Sequence, residues 1–239
     1  MLKQLEKVLK EKSNPSKANL LQRFFKTGRG EYGEGDIFLG IIVPEQRKIA
    51  KEFNDLTMKD IDELLNSNIH EQRMIGLFVL IKQYERVCKD KNEELRKEIF
   101  NFYLKNAHKN NINNWDLVDL SAPNIVGNYL IDKDREILYE LAKSSNLWEK
   151  RIAILSTAAF IRLGEFKDTL EISEILLRDL HDLIHKAVGW MLREVGKRDV
   201  HVLEGFLKKN YKKMPRTMLR YAIEKFPEIE RKKWLNGEK

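Results

Sequence analysis

Apolar residues along this chain recur at spacings of three and four, the period of one face of an α-helix. Ile61, Leu64 and Leu65 form one such set, and Ile75, Phe78 and Val79 a second. Ile152, Leu155 and Ala159 form a third, and Val188, Met191 and Leu192 a fourth. The opening stretch MLKQLEKVLKEK interleaves charged with apolar residues and reads as an amphipathic helix, not a signal peptide. Start signals agree with this period. Thr57 with Asp60 three residues on resembles a capping box. Pro44, Pro123, Pro215 and Pro227 stand where a first helical turn tolerates a missing N–H. Runs of period two are nearly absent: Gly40-Ile41-Ile42-Val43 is short and stops at proline, so no sheet is expected. The expected fold class is all-α.

The chain also repeats itself. His70-Glu71-Gln72-Arg73-Met74-Ile75, Trp148-Glu149-Lys150-Arg151-Ile152-Ala153, Ile184-His185-Lys186-Ala187-Val188 and Pro215-Arg216-Thr217-Met218-Leu219 share one plan, a basic residue early in a helix followed by an apolar stripe. Arg73 to Arg151 is 78 residues, about two periods; Arg151 to Lys186 is 35 and Lys186 to Arg216 is 30. Paired helices at that period describe a HEAT-like helical-repeat superhelix, an α-solenoid in which each unit buries its apolar face on its neighbours. Stacking predicts that the early basic residues line one face as a curved positive groove of the width of a duplex. No flexible linker divides the chain, so residues 1–239 are expected to form a single domain.

Charge sharpens the picture. From Ile184 to Lys239 there are 15 Lys/Arg against 7 Asp/Glu, a net of +8 in a chain whose total is +7, so the other residues sum to −1. A neutral body with one basic end suggests a polyanionic partner; solubilising lysines on exposed helix faces are the alternative. With 42% hydrophobic and 34% charged residues, wholesale disorder is excluded. No apolar run reaches the roughly 18 residues of a membrane span. One cysteine, Cys88, excludes an internal disulfide framework and fits a reducing, cytoplasmic setting.

Several motifs invite chemistry and do not sustain it. Gly28-Arg29-Gly30-Glu31-Tyr32-Gly33 matches G-x-G-x-x-G, but a helical pattern (Leu20, Leu21, Phe24, Phe25) precedes it where a strand is required, and Glu31, Glu34 and Asp36 would repel a pyrophosphate. An ordered loop is expected there. His181 and His185 share a helical spacing with no third ligand in sight, so no metal site is expected. Cys88 reads as a core residue, and no nucleophile signature appears.

The unusual segment is Asn113-Asn114-Trp115-Asp116-Leu117-Val118-Asp119-Leu120-Ser121. On a helix, Trp115 and Asp119 are i and i+4 and share a face. An aromatic plate beside a carboxylate suits a cationic group; a helix-entry cap beside a buried tryptophan is the alternative. By spacing, Asp116 reads as a helix cap. Trp148 and Trp190 fall at repeat positions equivalent to the basic ridge and are candidates for the same concave face.

These residues resemble the AlkD-type DNA alkylation-repair family, HEAT-like-repeat glycosylases acting on N3- and N7-alkylated purines. The match runs through Trp115, Asp116, Val118 and Asp119, through Trp148 to Leu155, and through Lys186-Ala187-Val188-Gly189-Trp190 to Leu192-Arg193-Glu194; Phe38-Leu39-Gly40-Ile41 with Pro44-Glu45 is also similar. It spans about Leu20 to Lys197. The resemblance implies that Asp119 is the catalytic carboxylate, that Trp115 and Trp190 form an aromatic cradle, and that Arg151 contacts lesion or backbone. Phe24 stands where the family can carry a tyrosine that meets the lesion. Lys186, Arg193, Lys197 and Arg216 would grip phosphates of double-stranded DNA. The implied activity is monofunctional hydrolysis of the N-glycosidic bond by a monomer, without base flipping, strand cleavage, metal or cofactor. A non-catalytic module binding damaged or branched DNA, and a peptide-binding scaffold, are the competing readings.

Overall fold

The structure, a computed structural model, describes residues 1–238. The fold is all-α: among the described residues there is no strand, only an isolated bridge between Ile37 and Ile69. Its contacts gather into two compact units, Met1–Leu117 and the residues from Val118 onward.

The first unit contains α1 (Leu2–Lys12), α2 (Pro15–Phe24), α3 (Val43–Glu52), α4 (Met58–Leu65), α5 (His70–Lys89) and α6 (Glu93–His108), and ends within α7 (Trp115–Ser121). Local chemistry sets these boundaries. Asn14 caps α2 by accepting from the Lys17 N–H, with Pro15 as the first helical residue. Thr57 and Asp60 close the expected capping box on α4. Helix α5 buries Met74 through Ile81 without a break. It is apolar nearly all round because α3, α4 and α6 all pack against it. The loop from Phe25 to Ile42 is fixed by its own side chains and at one point by a glycine. Gly40 has φ +82°, and a Cβ there would sit 2.2 Å from the Asn14 carbonyl oxygen, so only glycine fits.

The second unit opens with the end of α7, a π-helical turn at Pro123–Gly127 and a 3-10 turn at Leu130–Asp132. It continues through α8 (Glu136–Ala142), α9 (Leu147–Ser156), α10 (Ala158–Arg162), α11 (Lys167–Leu176), α12 (Asp182–Arg198), α13 (Val200–Asn210), α14 (Arg216–Ala222) and α15 (Glu228–Asn236). Helix α12 is its centre, packed by α9, α11, α13 and α14. Ile184, Ala187, Val188, Met191 and Leu192 form its buried stripe, as the period predicts. Pro215 and Pro227 stand one position earlier than expected, as the caps of α14 and α15.

Candidate functional site

In the first unit Trp115 is the end of a column of rings. Phe25, buried, lies flat against the half-buried indole, centroids 5.1 Å apart and planes 10° from parallel. Phe25 stacks in turn on Phe38 (4.9 Å, 23°), and Phe38 on the imidazole of His70 (4.5 Å, 22°). Phe24 approaches Trp115 edge-on at 6.0 Å and is 65% exposed.

Beneath this column lies a buried charged cluster that the sequence did not reveal. His70 is held between two carboxylates, Nδ1 on Asp36 Oδ2 at 3.0 Å and Nε2 on Asp116 Oδ2 at 2.9 Å. Arg73 donates to the other oxygen of Asp36 and to the side-chain carbonyl of Asn113, and Asn114 Nδ2 donates to Asp36 at 3.1 Å. Burial opposes the charged imidazole, but the charge and hydrogen bond of Asp116 and the hydrogen bond to Asp36 outweigh it. The His70 pKa is pushed up to about 9, with Arg73 opposing. Burial likewise works against the Asp36 carboxylate, and His70 and Arg73 hold its pKa below the ordinary value all the same. Asp116, the second residue of α7, also accepts the Leu117 N–H on Oδ1 at 2.8 Å. Spacing reads Asp116 as a helix cap; nothing in it points to His70, 46 residues away.

Next to His70, Glu71 is fully buried and takes three backbone donors, the N–H groups of Leu39 (2.9 Å), Gly40 (2.9 Å) and Ile41 (3.2 Å). In the glycine-rich loop, Glu31 accepts the Gly28 N–H and Glu34 the Gly30 N–H. The backbone donors that a phosphate cradle would need are thus occupied by the loop's own carboxylates.

Asp119 lies one turn beyond Trp115 on α7. In the second unit Arg151 holds it from α9, Nε on Oδ1 and Nη2 on Oδ2, both at 2.8 Å. The remaining terminal nitrogen of Arg151 donates to the Leu183 carbonyl, just inside α12. Arg151 is only 4% exposed. The resemblance implies a contact of Arg151 with lesion or backbone; in the structure its guanidinium is engaged by Asp119 and the Leu183 carbonyl. Arg73 is buried in the same manner, so the early basic residues do not all form a surface ridge. Trp148 belongs to the core at 5% exposure, its backbone N–H donating to the Asn146 side chain that caps α9.

Trp190 is half-buried on α12 and forms one wall of a cavity of about 300 Å³, with Arg162, Glu194 and Arg198 around its rim. Its indole N–H donates to Glu194 at 3.2 Å, and Lys197 holds the same carboxylate at 2.7 Å. Arg193 pairs with Glu224, and Lys186 with Asp182 at 2.7 Å. Arg216 is exposed and donates to the Leu235 carbonyl. The pairing continues along the basic end in Lys209 with Glu174 (2.8 Å), Lys225 with Glu224 (2.9 Å) and Lys232 with Glu228 (2.9 Å). His181 caps α12 by accepting the Leu183 N–H, and His185 bonds the Asp179 carbonyl. No group of three or more His, Cys, Asp or Glu side chains among the described residues is arranged to hold a metal ion. No helix among them is long and apolar enough to cross a membrane.

A family model described as "DNA alkylation repair enzyme" matches residues 5–226. Among solved structures, the fold is similar to that of a predicted DNA alkylation repair enzyme from Enterococcus faecalis, with a TM-score of 0.66 over 91% of this chain and 98% of that one, at 15% identity. No curated protein matches the sequence.

Proposed function

The chain belongs to the DNA alkylation repair enzyme family, and from that premise we propose that it is a monofunctional glycosylase releasing cationic N3- and N7-alkylpurines from duplex DNA. The observation that carries this reading is Asp119, a partly exposed carboxylate one turn from Trp115 and held at two points by Arg151.

An N3- or N7-alkylated purine is already positively charged, so the electrons of the C1′–N bond leave with a base that departs neutral. No general acid is required. The charge that needs stabilising develops on the deoxyribose, and a fixed anion near C1′ lowers that barrier electrostatically. The carboxylate would also orient a water, whose oxygen adds to C1′ while its proton passes by way of the carboxylate to solvent. The product is an abasic site in an intact strand. Trp115 and Trp190 are assigned as the faces that favour the cationic sugar. Phe24 is assigned to the DNA surface without the hydroxyl of a tyrosine, and Lys186, Arg193, Lys197 and Arg216 to phosphate contacts. Arg151 is assigned to Asp119 and not to DNA. Charge selectivity follows: neutral lesions such as uracil or hypoxanthine stay in place, and catalysis by electrostatics needs no base-binding pocket and no base flipping. The reading carries with it a monomer working in the cytoplasm, at the nucleoid.

The test is release of free base from duplex DNA carrying 7-methylguanine, with Asp119→Asn beside the native protein. Release that the substitution abolishes supports the reading. The Arg151 pairing of Asp119 also suits a second reading, a non-catalytic module for damaged or branched DNA. Salt-sensitive binding with no base release from the native protein would establish that one instead.

A further inference from the structure

We infer that His70 is a positioning residue for the reaction, one that sets the Trp115 indole without touching DNA. The inference rests on the glycosylase reading for its catalytic consequence and on geometry for the positioning itself.

The backbone around Trp115 is tied to one charged cluster at three points. Asn113, two residues before it, receives Arg73. Asn114, immediately before it, donates to Asp36 at 3.1 Å. Asp116, immediately after it, receives His70 Nε2 at 2.9 Å. His70 joins these ties because it bridges Asp36 and Asp116. Ionised carboxylates only accept hydrogen bonds, so both ring nitrogens must carry protons for both contacts to exist. The cluster is then two anions, Asp36 and Asp116, against two cations, His70 and Arg73. Glu71, the remaining carboxylate beside His70 in sequence, is turned to the backbone of residues 39–41.

The same imidazolium is the base of the ring column. Phe38 lies on it, Phe25 on Phe38, and the Trp115 indole on Phe25. The chain beside Phe38 is tied to it as well, since the His70 N–H donates to the Ile37 carbonyl at 2.9 Å. His70 therefore reaches Trp115 by two routes, through the peptide and through the rings. Loss of its second proton would set a bare ring nitrogen against one carboxylate and leave the two buried anions with one counter-charge fewer. The first turn of α7 and the tilt of the indole are what such a change moves.

The experiment labels the protein with 5-fluorotryptophan and follows the Trp115 resonance, assigned by Trp115→Phe, while His70 is titrated. The expected result is a Trp115 shift with an inflection near pH 9, coincident with the His70 imidazole and absent from the core Trp234. His70→Gln is expected to displace the resonance at every pH, abolish the inflection, and lower kcat for base release about tenfold with KM little changed. A Trp115 resonance that ignores the titration, or kcat left intact in folded His70→Gln, would overturn the positioning role. Should His70→Gln fail to fold, the native titration alone decides. Absence of base release from the native protein would remove the glycosylase reading and leave the fluorine titration to judge the positioning.

Discussion

Arg151 meets Asp119 with two parallel hydrogen bonds of 2.8 Å, a fork closing on a carboxylate whose side chain is 15% exposed. Such a contact fixes the plane of the carboxylate as well as its position. The third donor of the fork, on the Leu183 carbonyl, ties the pair to the start of α12.

Removal of this fork separates two effects. Arg151→Ala removes both forked hydrogen bonds from a partly buried carboxylate, with an expected stability loss of about 3 kcal/mol in urea denaturation. Arg151→Lys keeps the charge and loses the two-point geometry, so the fold is expected to survive while base release slows about tenfold. Equal rates for Arg151→Lys and the native protein would mean that the orientation of Asp119 is unimportant.

Glu71 is expected to be among the costliest single residues in the first unit. Its carboxylate satisfies three buried N–H groups, and Glu71→Gln turns one acceptor into a donor facing them. A loss of about 2–3 kcal/mol is expected from denaturant midpoints. A cost under half a kilocalorie would show that water replaces the carboxylate there.

Stability should fall as the solution turns alkaline. The folded value of His70, about 9, lies above the ordinary 6.5, so protonation favours the folded state. That contribution is complete below about pH 6.5 and is lost as pH rises through about 9, on the order of 3 kcal/mol in all. Unfolding free energies measured across this window should decline for the native protein and stay flatter for His70→Gln.

Two glycines give predictions of opposite sign. A Cβ on Gly189 would lie 2.5 Å from both the Met218 carbonyl oxygen and the Tyr221 Cβ, so Gly189→Ala forces α12 from α14 and costs about 2 kcal/mol. Gly205, within α13, has nothing within 4 Å of its would-be Cβ. Gly205→Ala is expected to raise Tm, with a gain of about 0.5–1 kcal/mol.

What the sequence made legible was whatever acts over a few residues. The Thr57–Asp60 box, the amphipathic first helix, the buried stripe of α12 and the absence of strands among the described residues all follow from spacing and short-range capping. The buried ion pairs were invisible for the same reason. Arg73 finds Asp36 across 37 residues and Arg151 finds Asp119 across 32. A helical repeat gives Arg73 and Arg151 the same periodic address as the more exposed Lys186 and Arg216. Periodicity assigns a face and cannot say whether a carboxylate waits there. Periodicity likewise offers Trp148 to a surface face whereas its side chain is buried, and His70 gives no signal because its two partners come from separate elements.

Several cations of the basic end already hold carboxylates: Lys186 has Asp182, Lys197 has Glu194, Lys209 has Glu174 and Lys232 has Glu228. Exposed pairs of this kind are individually weak, so a phosphate can displace the resident carboxylate at small cost. The freed glutamate or aspartate then draws a cation from solution, returning part of what the nucleic acid released. On the proposed reading the C-terminal quarter would act as an ion exchanger, trading one anion for another, and its affinity for a polyanion would depend less steeply on salt than its tally of positive charges implies.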